Sequence, residues 1–310
     1  MNKLVKIGAT ALAGSLVAFS VNAAEMSVSG GASITYSNSG AGTTGNNFTM
    51  GDSLNFSASG ETDGGLNITY NMEIDNGAED DHSVVMGGDF GTLTFHGHGG
   101  STPLSAADDK SPNAYEESWD VVSGADTKMT FGNAQDNMFV FTSNNINGLT
   151  FSASYHNSSA ASAESGTSFG VTYAPEAVEG LSVGYAMEDD ESTAGTSIDE
   201  SSMWVTYATG PVTVGISMAE ADHPTAASST EFEAGGVTYA VNDDFSIGYN
   251  VSNLTTPNNA SDADQSASGI SFSYTMGGMT VAGAVNSVDN VNNVATNDND
   301  GAEIGVSFAF

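Results

Sequence analysis

Apolar and polar residues alternate strictly in many segments of this 310-residue chain. From Leu66 to Asp75 every second residue is apolar, and each residue between is polar. Side chains of a β-strand point alternately to its two faces, so this segment predicts a strand with one apolar and one polar face. The pattern recurs at 181–188, 212–218 and 270–276, and again where the chain ends on Phe310. It predicts an all-β fold.

We predict sixteen strands from this pattern, and the two short segments near residues 83–98 leave a count of fourteen or eighteen open. The alternation breaks between Phe232 and Tyr239, where Gly235-Gly236 predicts a β-bulge. The predicted strands span residues 26–37, 49–60, 66–75, 83–88, 92–98, 136–143, 149–156, 167–174, 181–189, 201–208, 211–219, 230–240, 245–252, 266–275, 279–287 and 301–310.

The connections between these segments alternate in length, which is a second and independent signal. Short turn-forming sequences occupy 61–65, 89–91, 144–148, 175–180, 209–210, 242–244 and 276–278. Longer loops rich in Asn, Ser, Asp and Thr occupy 38–48, 157–166, 189–200, 220–229, 253–265 and 288–300. This rhythm is typical of an up-and-down barrel with turns at one rim and loops at the other. It places both chain ends at the short-turn rim.

A membrane is the environment that such a barrel fits. No stretch after residue 24 contains 18 consecutive apolar residues, so the sequence offers no spanning helix. The other structure that spans a bilayer is a closed sheet in which every backbone group is paired. We therefore predict a transmembrane antiparallel up-and-down β-barrel of about 16 strands. Two β-sandwiches or an acidic calcium-binding solenoid are the soluble alternatives, but the solenoid's short glycine-aspartate repeat is absent and a sandwich does not explain the loop rhythm.

The N-terminus predicts export. Lys3 and Lys6 form a basic region, Ile7 to Val21 form a short apolar core, and Val21-Asn22-Ala23 fits the cleavage rule of secretory signals. The apolar core is too short for a permanent membrane helix. We therefore predict that residues 1–23 are a cleaved signal peptide, with cleavage after Ala24 as the alternative, and that residues 24–310 form one barrel domain.

The charge balance excludes several classes of protein. The chain carries 38 acidic residues, all after residue 24, and of its four basic residues only Lys110 and Lys128 lie in that part. Such a chain repels nucleic acids, so nucleic-acid binding is excluded. The absence of cysteine removes disulfides, thiolate metal sites and cysteine nucleophiles. The five histidines lie in no catalytic motif, and the sequence predicts no enzyme.

One connection is far longer than the rest. About forty residues separate His96 from Asn137, and structureless loops of that length are uncommon and often functional. We predict that this loop carries the functional site. The candidate site residues in it are Asp108, Asp109, Lys110, Glu116, Glu117, Asp120, Asp126 and Lys128.

With these features in place, the chain resembles a general diffusion porin of the Gram-negative outer membrane, of the alphaproteobacterial type. The resemblance covers the whole mature length. It rests on the signal peptide, the hairpin Gly88–Phe95 that leads into the long third loop, the hairpin Asn147–Tyr155, and terminal Phe310. It implies a sixteen-stranded barrel, a homotrimer, and a third loop folded into the lumen as the constriction. It also implies that Phe310 belongs to the signal that the barrel-assembly machinery reads.

The chain departs from that family in one respect. Such porins set acids of the third loop against arginines on the barrel wall, whereas this sequence contains no arginine. Val140 stands where a lumen-facing basic residue would be expected after the third loop. The loop acids therefore have only Lys110 and Lys128 as basic partners.

The charge on the inner face predicts the ion preference of the pore. Strand parity places Glu73, Asp75, Glu188 and Glu303 on the lumen wall. Carboxylates in a narrow pore favour cations, so we predict a water-filled, cation-preferring channel for small hydrophilic solutes. In the alternative, most acids lie in outer loops or bridge lipid and lipopolysaccharide headgroups through divalent cations, and selectivity is weak.

Other candidate sites carry weaker signals. His82, His96, His98 and His156 lack the spacing of a metal site and are expected on the surface or in the lumen. The acidic segments 189–191 and 297–300 have oxygen ligands that suit Ca²⁺ but lack a full EF-hand pattern, so no cofactor is required. The second function class that fits is an outer-membrane or secreted β-rich protein for adhesion or calcium-dependent recognition.

Overall fold

Sixteen antiparallel strands close into one barrel in which each strand pairs with its neighbours in sequence. The computed structural model describes residues 25–39, 47–125, 136–157, 165–193, 196–224, 229–256 and 263–310. The predicted signal peptide lies outside these residues. The strands are β1 (Glu25–Asn38), β2 (Phe48–Glu61), β3 (Asn67–Asp75), β4 (Ala78–Gly88), β5 (Gly91–His98), β6 (Met138–Thr142), β7 (Leu149–His156), β8 (Gly166–Tyr173), β9 (Leu181–Thr193), β10 (Thr196–Thr209), β11 (Val212–Asp222), β12 (Thr230–Ala240), β13 (Phe245–Thr255), β14 (Gln265–Met276), β15 (Met279–Asp289) and β16 (Asn299–Ala309).

Helix is almost absent from the described residues. Two 3₁₀ turns, Ser105–Ala107 and Val291–Asn293, interrupt the connections that follow β5 and β15. No helix in these residues has the length and apolar character needed to cross a membrane.

The last strand closes the barrel on the first, as the sequence predicts. β16 pairs antiparallel with β1, and Ile34 lies opposite Val306. The Gly30 amide donates to the Phe310 carbonyl at 2.8 Å, and the Phe310 amide donates back to the Gly30 carbonyl at 3.0 Å. Every strand therefore has two partners, and the sheet has no open edge.

The alternation of the sequence becomes an apolar outer face and a polar inner face. On β14, Ile270 is 64% exposed on the outside while its neighbour Ser271 is buried inside. The same inversion of the usual soluble pattern occurs on β1, β11 and β15. Tyrosines near the short-turn rim, among them Tyr173, Tyr207 and Tyr239, are also exposed on the outer face. Such a surface suits hydrocarbon with aromatic side chains at its boundary.

Two connections are shorter than the sequence predicts. β4 begins at Ala78, so the segment 76–82 contains only a two-residue turn, Asn76–Gly77, with φ of 47° and 80° at its two positions. Likewise β9 and β10 extend into the predicted loop at 189–200. Apart from Ala78 and Ile198, the residues of these extensions are polar or small on both faces, which removes the alternation signal. Beyond the hydrocarbon both faces of a strand meet water, so pairing there requires no apolar side.

The predicted bulge at Gly235-Gly236 was wrong. β12 keeps an uninterrupted register with both neighbours, and Gly235 and Gly236 lie opposite Ile216 and Gly215 of β11. The alternation breaks because Phe232 is buried on the inner face of the barrel. The partner of Phe232 there is the third loop.

Candidate functional site

The connection between β5 and β6 (residues 99–137) is here called the third loop, and its described residues 99–125 lie inside the barrel. The Thr102 hydroxyl donates to Glu188 of β9 at 2.6 Å, and the Tyr115 hydroxyl donates to Glu303 of β16 at 2.7 Å. Both carboxylates alternate along their strands with outward-facing apolar residues. The loop therefore runs along the inner wall from β9 to β16.

The first part of the loop is held by apolar packing on the inner wall. Leu104 and Ala107 pack with Ala186 of β9 and Trp204 of β10 in one buried cluster. The ammonium group of Lys110 lies 5.5 Å from the centroid of the Trp204 ring, within the range of a cation–π interaction. The indole thus supports the loop backbone and holds its lysine.

A second apolar cluster holds the later part of the loop. Trp119 packs edge-on against Phe232 of β12, with 4.8 Å between ring centroids and an interplanar angle of 86°, a favoured aromatic geometry. Val122 joins the same cluster, together with Leu254 of β13 and Val288 of β15. These wall residues face the lumen near the loop rim, so the loop covers apolar inner surface that water would otherwise contact.

Polar side chains of the wall bind the loop backbone between the two clusters. The Ala114 amide donates to the Ser271 hydroxyl at 2.9 Å, and the Ser118 amide donates to the Asn250 side chain at 3.3 Å. The Asn286 side-chain amide donates to the Glu117 carbonyl at 2.5 Å. These bonds satisfy backbone groups of an irregular segment inside the barrel.

The predicted loop acids divide into those facing the open lumen and one that is buried. Asp109 and Asp120 are exposed, Asp108 and Glu116 are half-buried, and Glu117 is 5% exposed. Carboxylate oxygens of Glu116, Glu117 and Asp120 lie within 4.8 Å of one another. The predicted Asp126 and Lys128 lie outside the described residues.

Burial raises the pKa values of these acids. Burial, reinforced by the neighbouring charge of Asp109, raises the pKa of Asp108 to about 6. Burial and the adjacent Asp120 carboxyl raise the pKa of Glu117 to about 9, so Glu117 is neutral at pH 7. Burial also raises the pKa of Glu116. At neutral pH the loop charge therefore comes from the lumen-facing acids and not from Glu117.

The four predicted wall acids lie in different environments. Glu73 on β3 accepts a hydrogen bond from the Asn55 side chain at 3.3 Å, and Asp75 lies at the end of that strand beside the loop rim. Glu303 is half-buried under Tyr115. Glu188 is only 3% exposed and lies behind the third loop. Glu188 lies on the inner face of β9 as strand parity predicts, but Thr102 and the loop cover it, so it does not line the open channel.

Lysine and arginine are almost absent from the part of this interior that the structure describes. Lys110 is the single lysine among the residues that the structure describes, and the sequence contains no arginine. Val140 of β6 lies opposite Thr94 of β5 and belongs to the inner face. An apolar side chain thus occupies the wall position where a basic residue was expected.

Several residues that build the site were not predicted from the sequence. Trp204 interrupts the polar face of β10, and Asn250 and Asn286 lie at inner-face positions of β13 and β15. A large aromatic residue on a polar face signals a packing partner inside the barrel. Parity therefore could have identified Trp204. It could not have identified which part of the chain Asn250 binds.

Comparison with known proteins agrees with the barrel and its inner loop. The family model for Gram-negative porins matches residues 8–293. An anion-selective porin from Comamonas acidovorans has a TM-score of 0.70 at 13% identity, and the match covers 93% of this chain and 100% of that one.

Two further solved porins are similar. A variant of the Rh. blastica porin has a TM-score of 0.69 at 17% identity, and a porin refined at 1.8 Å has 0.67 at 18%; both matches cover 92% of this chain and 100% of the other. No curated protein matches the chain. A closed sixteen-stranded barrel and a family match over most of the sequence lead to one conclusion. The chain belongs to the Gram-negative porin family and is an outer-membrane diffusion channel, not an enzyme.

Proposed function

We propose that this channel passes small hydrophilic solutes and ions, prefers cations, and has its constriction at the third loop. The observation that supports this proposal most directly is the imbalance of charge beside that loop. Asp109 and Asp120 face the lumen, and Glu116 lies near Glu303 of the wall, with Lys110 as the one lysine in the described interior. A low-dielectric wall focuses the field of such groups and raises the local cation concentration.

The single lysine does not cancel this field. Lys110 is held beside the Trp204 ring. Burial and the charge of Asp120 raise the pKa of Asp109, and the charge of Lys110 opposes this rise without cancelling it. Among the described residues, one lysine stands beside several carboxylates of the third loop. Charges count only within about 8 Å of the permeating ion at physiological salt, so the third-loop acids outweigh those at the barrel rims.

The Comamonas porin is described as anion-selective, and this does not oppose the proposal. At 13% identity the two chains share a fold, while ion preference depends on the side chains that line the pore.

Reversal potentials in planar bilayers test the proposal. Under a salt gradient, the purified channel should develop the sign of potential that reports faster permeation of K⁺ than of Cl⁻. Faster permeation of Cl⁻ would reject the proposal. Absence of any conductance would favour the alternative in which the barrel serves adhesion or recognition.

The raised pKa of Asp108 predicts a pH dependence. A carboxyl group carries its charge above its pKa, and the pKa of Asp108 is about 6, so cation preference should fall as the pH decreases from 7.5 through 6. The D108N variant should change less over the same interval. Reversal potentials measured from pH 7.5 to 5 check this, and identical pH profiles for both proteins would contradict it.

The mature N-terminus and the oligomer are further parts of the proposal. We infer that residues 1–23 are removed on export and that the barrel is a homotrimer of the alphaproteobacterial type. N-terminal sequencing of the protein from membranes tests cleavage, and an intact Met1 would refute it. Native mass spectrometry in mild detergent tests the trimer. Contacts with outer-membrane lipid and lipopolysaccharide belong to the same proposal.

Calcium binding in the acidic segments stays a prediction. Asp189 lies in β9, and the Asp298 carboxylate accepts a hydrogen bond from the Asn290 backbone amide.

Phe310 is proposed as part of the signal for the barrel-assembly machinery. Its side chain is 72% exposed, and its bonds to Gly30 use only backbone atoms. We therefore expect F310A to reduce the amount of assembled barrel in cells while the refolded protein keeps its stability in detergent. F308A, which removes another outward ring of β16, is the control. Equal amounts of assembled barrel for the wild type, F310A and F308A would contradict this role.

A further inference from the structure

The third loop lies directly on wall residues that have no side chain. Its backbone at Pro112 rests on Gly236 of β12, its backbone at Ala114 rests on Gly248 of β13, and Val121 rests on Gly301 of β16. At these three points, on three strands of the same half of the barrel, the described loop lies directly against a glycine. Hydrogen bonds and the two apolar clusters hold the loop against this surface.

A methyl group at any of these positions would collide with loop backbone. A Cβ atom on Gly236 would overlap the Pro112 carbonyl oxygen and lie 2.9 Å from its carbonyl carbon. One on Gly248 would lie 2.7 Å from the Ala114 nitrogen, and one on Gly301 would lie 2.5 Å from the Val121 oxygen. Real Cβ atoms do not approach heavy atoms so closely, and a backbone atom cannot rotate away as a side chain can.

Backbone conformation does not explain these glycines. None of the three has the positive φ that favours glycine, in contrast to turn residues such as Gly148 or Gly180. They lie in regular strand positions, where glycine weakens a sheet relative to a β-branched residue. Close approach of another backbone is therefore the reason that glycine is needed there.

We propose that Gly236, Gly248 and Gly301 are positioning residues that hold the third loop against the wall and thereby set the width of the channel. The inference rests on the proposed function in one respect, since it takes the third loop as the constriction. It does not depend on the sign of the ion preference. A side chain at these positions pushes the loop away from the wall, toward the pore axis.

The experiment compares G236A with G235A. The two glycines are adjacent on β12, but a Cβ atom on Gly235 meets nothing closer than 3.5 Å, the ordinary contact distance. Single-channel conductance and the permeation of uncharged solutes of graded size are measured in planar bilayers and vesicles. A loop shift of about 1 Å in a narrow pore should lower conductance about 1.5-fold in G236A, with a smaller solute limit. G235A should behave as wild type.

G248A and G301A are further variants for the same test. The added Cβ atom overlaps the loop backbone less than in G236A, so these variants should insert even if G236A does not. G305A, whose nearest contacts are at 3.3 Å, should change conductance less than G248A or G301A. A raised conductance in the variants would contradict the proposed shift of the loop toward the pore axis.

The proposal is overturned if G236A, G248A or G301A inserts into the membrane and has the wild-type conductance. It is also overturned if G235A changes the conductance as much as G236A does. A merely structural role of the glycines would lower the free energy of unfolding and leave conductance of inserted channels as in wild type. The proposed function fails on a different measurement. If the channel has no cation preference, the reversal potential of the wild-type protein shows this, whatever the conductance of the glycine variants.

Discussion

Replacing Asp108, Asp109, Glu116 and Asp120 by their amides should remove most of the cation preference of the channel. Two unit charges 8 Å apart in water interact with about 0.5 kcal/mol, and screening at physiological salt lowers this to about 0.2 kcal/mol. Four such charges raise the cation concentration about fourfold and lower that of anions similarly. The cation-to-anion permeability ratio should therefore fall about tenfold in the amide variant, measured by reversal potential at pH 7.5.

Two matched controls separate this effect from total charge. The first neutralises four exposed acids on the outer face of β10 to β12, namely Asp199, Glu220, Asp222 and Glu231. The second is E117Q, which changes the same loop at a residue that is already neutral at pH 7. Both controls should keep the wild-type reversal potential. A loss of preference in the outer-face variant equal to that in the loop variant would show that the loop acids have no special role.

Lysine at the middle of an outward strand face should be far more damaging than lysine on the inner face. Ile270 lies near the middle of β14 and is 64% exposed on the outer face. Lysine at the bilayer midplane costs about 2–4 kcal/mol, so I270K should lower the free energy of unfolding by about that amount. Urea unfolding of the refolded barrel in lipid vesicles measures it.

The control for I270K is S273K on the same strand. Ser273 has inner-face parity and lies opposite Ala282 of β15 and Ser246 of β13, where a lysine reaches the water of the lumen. Its free energy of unfolding should stay within about 0.5 kcal/mol of wild type. Equal destabilisation by both variants would contradict the assignment of inner and outer faces. S273K should also weaken the cation preference, because it adds a positive charge to the lumen.

Strand positions were predictable because their signal is local. The segment 66–75 shows its two faces in ten consecutive residues, and the structure has β3 at Asn67–Asp75. The signal disappears where both faces of a strand meet water, and there β4, β9 and β10 were predicted too short. Local pattern also misread Gly235-Gly236 as a bulge, since a glycine required for close packing looks the same in sequence as one required for a bend.

The candidate site was predictable in composition but not in arrangement. The length and acidity of the third loop mark it as functional, and the absence of arginine is visible in the sequence. Nothing in the sequence distinguishes buried Glu117 from exposed Asp120, or Glu188 behind the loop from Glu73 on the opposite wall. Those differences depend on where the loop lies.

By itself, the sequence determined an all-β barrel with an apolar outside, and an interior with an excess of acid over base. It could do so because period-two alternation and net charge need no knowledge of distant contacts. The tertiary structure alone decided the path of the third loop, the burial of Glu117 and Glu188, and the role of the wall glycines. These features arise from contacts between residues far apart in the chain, such as Tyr115 and Glu303, which are separated by 188 positions. Such contacts exist only after the barrel has closed.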